Sequence, residues 1–430
     1  AYEQLQAEGF LVGRVGSGSY VASIGSPHPQ KRGGGTLIAP LSAFARRVLA
    51  NFDGRAIPGR QHRGLRYNLQ YGLPLANPML ASVWRREVNR AAEHVEFDYP
   101  DAQGLAELRE QVCDYLARRR GVPATPDDVL IVSGTQQAFA LAARVLLEPA
   151  ETVVLEDPHY RGARQVFTAH GAHVRGCRVD TDGLVPQALP ENARLAVVTP
   201  SHQFPTGALL PLGRRVELLD WATSTRAWLI EDDYDGEFRY GGRPLAALKS
   251  LDRDGRVIYI GSFSKALFPA LRLGYMVLPP AVRDAFVAAK WLEDRGCNAL
   301  EQAELARFMG DGGFERHLRR AAQTLRARRA AMLNGLAKHA AGVVEVVDSN
   351  AGMHLTAWLE GISYADCDRL IELARERGLG LYPIAPYCLK PPPRPGLVLG
   401  YAGLPPADID AAMRLFGRCL RELGLIRESK

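Results

Sequence analysis

A lysine at the end of a predicted strand is the residue of this chain best placed for covalent chemistry. Residues 257–264 have the sequence VIYIGSFS, a hydrophobic run that ends at a glycine and two serines. Lys265 comes next, in the turn that should follow the strand. Because ligand sites form at the carboxyl ends of strands in open α/β sheets, we expect Lys265 to be able to form a Schiff base with a carbonyl cofactor.

A dense acidic run follows another hydrophobic stretch. Residues 231–237, EDDYDGE, carry five carboxylates around Tyr234 and come directly after AWLI at 227–230. Such oxygen ligands suit magnesium or calcium, but the spacing of an EF-hand is absent. At a strand end, Asp232 is instead able to pair with a pyridine nitrogen and keep it protonated, while Tyr234 donates to a phenolic oxygen. We expect the remaining acids to be solvated loop charges.

A third segment has the residue types of a phosphate site. Ser133, Gly134 and Thr135 lie between a predicted strand at 129–132 and a predicted helix at 136–147. Backbone N–H groups at a helix start, together with two hydroxyls, favour a phosphate. An N-cap without a ligand would have the same pattern, so the motif alone does not identify a site.

The order of the three segments predicts pyridoxal 5′-phosphate (PLP) as the cofactor. Arg272, which we expect to open the next strand, could reach the phosphate, although taken alone it is equally a surface arginine. The Ser262-x-x-Lys265 spacing also fits penicillin-recognising enzymes. Their companion tripeptides SDN and KTG do not occur in this sequence, which argues against that class.

Hydrophobic runs alternate with helical patterns, which predicts a largely parallel α/β sheet with helices on both faces. The predicted strands lie at 129–132, 152–155, 195–198, 227–230, 257–260 and 273–278. After about residue 280 longer helices follow, one of them arginine-rich around 315–335. Further short strands are predicted at 343–348, 354–358 and 396–401. The change of pattern predicts a second, smaller α+β domain.

The composition is that of a soluble globular protein, with 47% hydrophobic and 23% charged residues. A net charge of +6 over 430 residues is compatible with nucleic acid or anionic ligands but identifies neither. The six cysteines form no CxxC pair, which predicts reduced thiols in a cytoplasmic protein. No membrane-spanning run and no signal peptide are found, so no membrane partner is expected.

The first 22 residues predict a helix end and a hairpin. The sequence AYEQLQAE at 1–8 is typical of a helix that ends at Gly9. Residues 10–21 are typical of two short strands joined by a glycine-rich turn. This run resembles the last helix and wing of a GntR-type winged helix-turn-helix, although a hairpin without a binding role would have the same pattern. Because no methionine and no earlier helices precede it, we expect a fragment of a longer chain. Residues 23–36, rich in glycine, proline and polar residues, predict a flexible linker.

The ordered motifs resemble those of a known family. SGTQQ, EDPHY, TPSHQFPTG, EDDYDGEF and GSFSKALFPALRLGY are similar to fold-type-I PLP enzymes of the aspartate aminotransferase superfamily. Joined to a GntR-type wing, they resemble the MocR/GabR family of bacterial transcriptional regulators over essentially the whole chain. The resemblance implies an aminotransferase-like domain at 37–430. Its large PLP-binding subdomain would span about 90–285, and its small subdomain about 286–430 together with the N-terminal segment.

The resemblance also implies a role for individual residues. Lys265 would form the internal aldimine, Asp232 would bind the pyridine nitrogen and Tyr234 the phenolic oxygen. The residues implied to hold the phosphate are Ser133, Gly134, Thr135, Ser262 and Arg272. Tyr160 would stack on the ring, and Tyr99 would reach the phosphate of a neighbouring subunit, which implies a homodimer. No metal ligand is implied.

Two positions depart from the pattern of active aminotransferases. Phe204 stands where an asparagine commonly precedes PTG, so one hydrogen bond to the cofactor is missing unless His202 or Gln203 replaces it. Val398 stands where an arginine usually grips the substrate carboxylate, and Arg394 nearby belongs to a predicted loop. Loss of a bidentate clamp should weaken the binding of amino acids.

These observations leave two hypotheses of different classes. The first is a DNA-binding regulator whose aminotransferase-like domain senses PLP or a small amino compound. The second is a working PLP-dependent aminotransferase with an N-terminal appendage. The predicted wing and linker favour the regulator, and the departures at Phe204 and Val398 favour weak or absent sustained transamination.

Overall fold

The computed structural model describes most of the chain as two compact units, Ala1–Ala43 and Phe44–Lys430. The described residues are 1–22, 40–52, 64–73, 75, 78–93, 98–241, 245–347 and 349–426. The predicted linker at 23–36 lies outside them. The finer division into subdomains stays a prediction.

The first unit contains the predicted helix and hairpin. Its elements are α1 (Tyr2–Ala7), β1 (Leu11–Arg14) and β2 (Gly18–Val21). Gly9 takes a φ of 77°, the left-handed conformation that ends a helix at low cost for glycine. The strands β1 and β2 pair antiparallel, with Arg14 opposite Gly18. The helix and hairpin are therefore confirmed, whereas their assignment to a winged helix stays a prediction.

Three short elements precede the main sheet: α2 (Ala43–Asn51), β3 (Tyr67–Asn68) and α3 (Pro78–Ala92). Arg47 of α2 donates through Nε to the carbonyl of Ala169 at 2.9 Å. The ring of Phe44 packs edge-on against His170, with 5.3 Å between centroids. These contacts hold α2 against the large domain.

The large domain is built on one eight-stranded sheet. Its strands are β4 (Val129–Val132), β5 (Thr152–Asp157), β6 (His173–Asp180), β7 (Gly183–Leu184), β8 (Ala193–Val198), β9 (Trp228–Asp233), β10 (Val257–Ser262) and β11 (Gly274–Val277). The order across the sheet is β4-β11-β10-β9-β8-β5-β6-β7. The strands β10, β9, β8, β5 and β6 run parallel, whereas β11 is antiparallel to both neighbours and β7 to β6.

Helices cover both faces of this sheet. They are α4 (Ala106–Arg120), α5 (Thr135–Leu146), α6 (Arg161–His170), α7 (Leu212–Thr225), α8 (Phe263–Ala266) and α9 (Pro280–Asp294). Alternate residues of β4 enter different cores: Leu130 packs with Phe139, Phe167 and Phe286 from α5, α6 and α9. Ile131 packs in the core on the opposite face, which includes residues of α4. Burial on both faces explains why these strands are continuously apolar.

The C-terminal part forms the smaller α+β region that the sequence predicts. Its elements are α10 (Ala299–Gly310), α11 (Gly313–His339), β12 (Val344–Val347), β13 (His354–Leu359), α12 (Tyr364–Glu376), β14 (Leu379–Gly380), β15 (Gly396–Gly400) and α13 (Pro406–Glu422). The strands β12, β13 and β15 make an antiparallel sheet. The strand β14 pairs with β3, so the segment before the large domain is part of this region.

The predicted strands are confirmed, with shifted ends. The strand β6 was missed because its sequence, HVRGCRVD, contains a histidine, two arginines and an aspartate, and only Cys177 of the strand is buried. The expectation that Arg272 opens a strand is wrong: it takes a left-handed φ of 54° after a short 3₁₀ turn, and β11 begins at Gly274.

No helix in the described residues is long and apolar enough to span a membrane.

A buried ion pair joins the end of α4 to the end of β9. Nη2 of Arg120 lies 2.6 Å from Oδ2 of Asp233, and both side chains are about 5% exposed or less. The hydroxyl of Tyr259 donates to the same carboxylate oxygen at 2.5 Å. The same guanidinium donates to the carbonyl of Leu245 and the hydroxyl of Ser201. Arg120 therefore fixes the end of the strand that carries Asp232.

Replacing Arg120 with methionine should lower the free energy of unfolding by about 3–5 kcal/mol, because Asp233 would keep a buried charge without its cation. Urea denaturation followed by circular dichroism measures this loss. The double variant Arg120→Met/Asp233→Asn should recover part of it. Equal stability of Arg120→Met and the wild type would show that the pair does not hold this strand end.

Candidate functional site

The predicted site residues come from elements that end at one edge of the sheet. The strands β9 and β10 are parallel neighbours, with Asp232 opposite Ile260 and Asp233 opposite Gly261. The short helix α8 begins directly after β10 and carries Lys265, while the hydroxyl of Ser262 caps that helix by accepting from Ser264 N at 3.2 Å. The topology therefore brings the acid and the lysine together.

Lys265 is half-buried and lies beside an aromatic ring. Its Nζ is 4.8 Å from the centre of the Tyr71 ring. A Cβ at Gly72 would lie 2.9 Å from the same nitrogen, so the glycine allows the lysine to approach the backbone. Burial lowers the pKa of Lys265 to about 8, and the carboxylates of Asp235 and Asp232 partly oppose the shift. A lysine with this pKa is a competent nucleophile near neutral pH.

Asp232 has a buried oxygen that no described residue satisfies. Its Oδ1 lacks a hydrogen-bond partner there. Burial raises the pKa of Asp232 to about 8, with further contributions from Asp233 and Asp235, whereas Lys265 lowers it. A protonated ring nitrogen would supply both the missing donor and the opposite charge. This oxygen is therefore a suitable partner for a pyridine nitrogen.

The predicted phosphate residues are gathered at the start of α5. Gly134 is the N-cap residue of this helix and has a φ of 92°. Nη2 of Arg272 donates to the carbonyl of Ser133 at 2.5 Å, and a Cβ at Gly134 would lie 3.0 Å from the same nitrogen. Thr135 begins the helix, and Ser262 pairs with Gly274 across β10 and β11. The N-terminus of α5 and the guanidinium of Arg272 thus lie together, and both groups favour an anion.

The expectation that the other acids are solvated is wrong. Glu231, Asp233 and Asp235 are all buried. The carboxylate of Glu231 accepts the backbone N–H groups of Leu248 and Lys249 at 2.9 and 2.8 Å. Asp233 pairs with Arg120, as described above. Because β9 lies in the middle of the sheet, these charges cannot reach water and take protein partners instead.

Tyr234 and His202 form a buried network with Asp235. The Tyr234 hydroxyl donates to the backbone carbonyl of His202 at 2.9 Å and lies 3.0 Å from its Nδ1. Nδ1 of His202 is also 3.0 Å from Asp235, and Nε2 is 2.9 Å from the Ser349 hydroxyl. Gln203 donates to Glu156 at 3.1 Å. The side chains of His202 and Gln203 are thus directed to protein groups, which argues against either one replacing the absent asparagine.

Phe204 is the centre of an aromatic cluster. Its ring lies 4.9 Å from Tyr71, 5.2 Å from Tyr387 and 6.2 Å from Tyr160, measured between centroids. Tyr160, which is 37% exposed, is the N-cap residue of α6 and belongs to this aromatic cluster. An aromatic ring therefore occupies the place of the polar asparagine side chain.

Val398 lies on β15 opposite Thr356, and its side chain is fully buried. Leu397 and Leu399 belong to the core, whereas Val398 alternates to the other face with Thr356 and His354. On that face, His354 Nε2 and Thr356 Oγ1 both bond the carbonyl of Pro205. The face turned towards the site therefore carries valine where a carboxylate-binding arginine was expected.

Tyr99 is not brought to the site within one chain. Its side chain is 80% exposed, and its backbone N–H bonds the carboxylate of Asp98. The contact predicted for it requires a second subunit and stays a prediction.

Sequence reasoning missed Tyr71, Gly72, His354 and Tyr387. The segment with Tyr71 has no helical or alternating pattern; its signal was a tyrosine followed by a glycine. His354 and Thr356 alternate with core residues in HLTAWL, a pattern that indicates a polar face on that strand. Tyr387 lies in a proline-rich loop without a comparable signal.

Comparisons with known proteins agree with this geometry. The family model described as "Aminotransferase class I and II" matches residues 69–414. The solved structure of LysN, an α-aminoadipate aminotransferase from Thermus thermophilus complexed with N-(5′-phosphopyridoxyl)-L-leucine, has a TM-score of 0.78 at 30% identity, covering 90% of this chain and 98% of its own. The fold and site therefore define an aminotransferase-like domain, and these matches indicate PLP as its cofactor.

Two curated relatives extend beyond that domain. "Probable rhizopine catabolism regulatory protein MocR" of Rhizobium meliloti is 34% identical over 412 residues, 94% of this chain and 82% of its own length. "HTH-type transcriptional regulator TauR" of Rhodobacter capsulatus is 32% identical over 428 residues, 98% of this chain and 88% of its own. The chain belongs to the MocR-type family of transcriptional regulators with an aminotransferase-like domain.

The lowered pKa of Lys265 predicts how covalent attachment of PLP depends on pH. Only the neutral amine attacks the aldehyde, so the rate should rise with pH up to about 8 and then level off. A lysine with the ordinary value of 10.5 would show a rate that still increases near pH 10. Stopped-flow absorbance with apoprotein measures the profile, and N-acetyl-lysine amide corrects for titration of PLP itself.

Asp235→Asn should move the plateau to lower pH, because the Asp235 carboxylate raises the pKa of Lys265. A profile that still climbs at pH 10 in the wild type would contradict the buried environment described here.

Proposed function

We propose that this protein is a DNA-binding transcriptional regulator whose PLP site senses a small amino compound. The observation that carries the proposal is Lys265 near Asp232, whose Oδ1 lacks a partner among the described residues, in a chain that matches regulators over 82% and 88% of their lengths. The winged helix supplies DNA binding in this proposal, and the hairpin of the first unit is the part of it within this chain. In this proposal the effector binds at the cofactor through its amine.

Each site residue has a distinct role in this proposal. Lys265 attaches the cofactor covalently and, when displaced by an incoming amine, holds a proton at Nζ. Asp232 holds the ring nitrogen in its protonated form, and Tyr234 donates to the phenolic oxygen once its hydroxyl turns away from the carbonyl of His202. Ser133, Gly134, Thr135, Ser262 and Arg272 bind the phosphate, and Tyr160 packs on the ring. When bound, PLP supplies an electron sink next to the amine of the ligand.

A homodimer completes the site in this proposal. Tyr99 is exposed within one chain, which leaves it accessible to a second subunit in this proposal. Its hydroxyl would reach the phosphate held by the partner subunit. Two subunits would also present two DNA-binding domains, which suits a pair of half-sites. A protein with this task would work in the cytoplasm.

The alternative is a working aminotransferase, and the retained Lys265 and Asp232 favour it. What opposes it is Val398, because sustained turnover needs a substrate held with its α-hydrogen near Lys265. Such positioning is worth about 7–11 kcal/mol in favourable cases. Without a carboxylate anchor at this position, α-amino acids have little to hold them in a reactive pose.

The regulator proposal is tested by selecting genomic DNA fragments with the protein as its gene encodes it, in the presence and absence of PLP. We expect enrichment of fragments with two half-sites, strong salt dependence and a change of affinity on adding PLP. Lys265→Ala should lose the visible absorbance band, labelling by borohydride and the response of DNA affinity to PLP.

Lys338→Ala is the matched control, since this lysine is exposed on α11 and lies outside the site. It should behave as the wild type. Retention of the absorbance band in Lys265→Ala would refute the site, and absence of any enriched fragment would refute the regulator.

Steady-state assays of amino acids with a keto-acid acceptor should detect negligible transamination. The physical reason is the missing anchor at Val398. A coupled assay across amino acids and simple amines provides the measurement. A turnover number on the order of 10 per second, typical of enzymes, would favour the aminotransferase instead.

A further inference from the structure

His354 carries a buried hydrogen-bond acceptor that has no donor. Its Nε2 lies 2.9 Å from the carbonyl of Pro205, so Nε2 bears the hydrogen and Nδ1 the lone pair. Among the described residues, none bonds to Nδ1, although the residue is only 1% exposed. Burial lowers the pKa of His354 to about 4, which keeps the ring neutral at physiological pH. A buried acceptor without a partner is costly, so a ligand donor would be favourable here.

The position of His354 relates it to the reactive lysine. Nζ of Lys265 lies 4.8 Å from the centre of the Tyr71 ring, and the His354 ring lies 4.7 Å from the same centre. Both residues therefore lie next to the same aromatic ring. An extended ligand with its amine at the cofactor could place its far end at His354.

Asp235 is the group that would attract a cation beside His354. Suitable nitrogen and oxygen atoms of His354, His202 and Asp235 lie within 4.8 Å of one another. The carboxylate of Asp235 raises the pKa of His354, whereas His202 and Lys265 lower it. The neighbouring strand presents Val398, which offers no positive charge to a carboxylate.

We propose that His354, backed by Asp235, forms a subsite for the far end of the effector, and that the effector is a primary amine with a second ammonium group, a diamine. This inference rests on the proposed function, because it requires one amine of the effector to bind at the cofactor. The second ammonium donates to Nδ1 of His354 and is attracted by the carboxylate of Asp235. Both features distinguish a diamine from an ω-amino acid of equal length.

A divalent metal is the competing occupant of the same three groups. Nδ1 and Nε2 of His202 already bond Asp235 and Ser349. A metal would have to break the bond between His202 and Asp235, whereas an ammonium needs only the free lone pair of His354. The observations therefore favour the organic cation.

The experiment compares ligands that differ only in their far end. PLP-loaded protein is titrated with 1,4-diaminobutane, butylamine and 4-aminobutyrate, and the five-carbon analogues repeat the series. Calorimetry gives the affinity, and the visible spectrum shows whether the amine reaches the cofactor. We expect the diamine to bind at least about tenfold more tightly than the monoamine, and the amino acid most weakly.

Variants of two residues on the same strand assign the effect. His354→Phe should remove the preference for the diamine over butylamine. His354→Gln, which keeps a donor and an acceptor, should retain part of the preference. Thr356→Val is the matched control: it also loses a bond to the Pro205 carbonyl but keeps the His354 lone pair, so the preference should persist.

The outcomes separate this inference from the proposed function. Spectral changes with every amine but no preference for the diamine, or tighter binding of 4-aminobutyrate, would overturn the inference alone. No spectral change with any amine would overturn both. Stoichiometric binding of Zn²⁺ by the wild type but not by His354→Phe would identify the cluster as a metal site and overturn the diamine.

Discussion

The concentration of carboxylates at the end of β9 constrains the structure around the site. Glu231, Asp232 and Asp233 are consecutive and buried, because the strand lies in the middle of the sheet. Each isolated buried charge would cost several kcal/mol, so each needs its own compensation. Backbone N–H groups compensate Glu231, and Arg120 from the end of α4 compensates Asp233. Of these three acids, Asp232 is the one with a buried oxygen that has no donor among the described residues, and this oxygen could bind a ligand.

The same constraint explains the state of Lys265. Burial alone would favour the neutral amine, and the carboxylates of Asp232 and Asp235 restore part of its basicity. The result is an amine that titrates near pH 8, able to act as nucleophile and as proton acceptor under physiological conditions. A cofactor whose ring nitrogen pairs with Asp232 and whose aldehyde reacts with Lys265 would relieve both unfavourable burials at once.

The small domain determines what kind of ligand could use this chemistry. The face of β13 and β15 that meets Pro205 carries His354, Thr356 and Val398. An arginine at 398 would have supplied a positive charge for carboxylates, whereas the residues present supply acceptors and an apolar surface. A site can thus keep the electronic machinery of an aminotransferase while its recognition of the substrate changes. Such a change suits a sensor, which needs selective binding and little turnover.

The sequence alone determined the fold class and the order of the strands along the chain, and it predicted the cofactor lysine. These conclusions depend on local patterns: continuous apolar runs indicate strands buried on both faces, and Lys265, Asp232 and the Ser133–Thr135 turn each follow such a run. The strand β6 was missed because its charged side chains interrupt that pattern.

Only the tertiary structure decided which acids are paired and which residues from distant segments join the site. Glu231 and Asp233 are as acidic in sequence as Asp232, and the distinction depends on partners from α4 and from the loop after β9. Tyr71 follows β3, whose Tyr67 pairs with Leu379, and His354 lies on β13 opposite Gly400 of β15. The physical reason is that hydrogen-bond partners, burial and electrostatic potential depend on long-range packing. Strand and helix patterns depend instead on residues that are close together in the sequence.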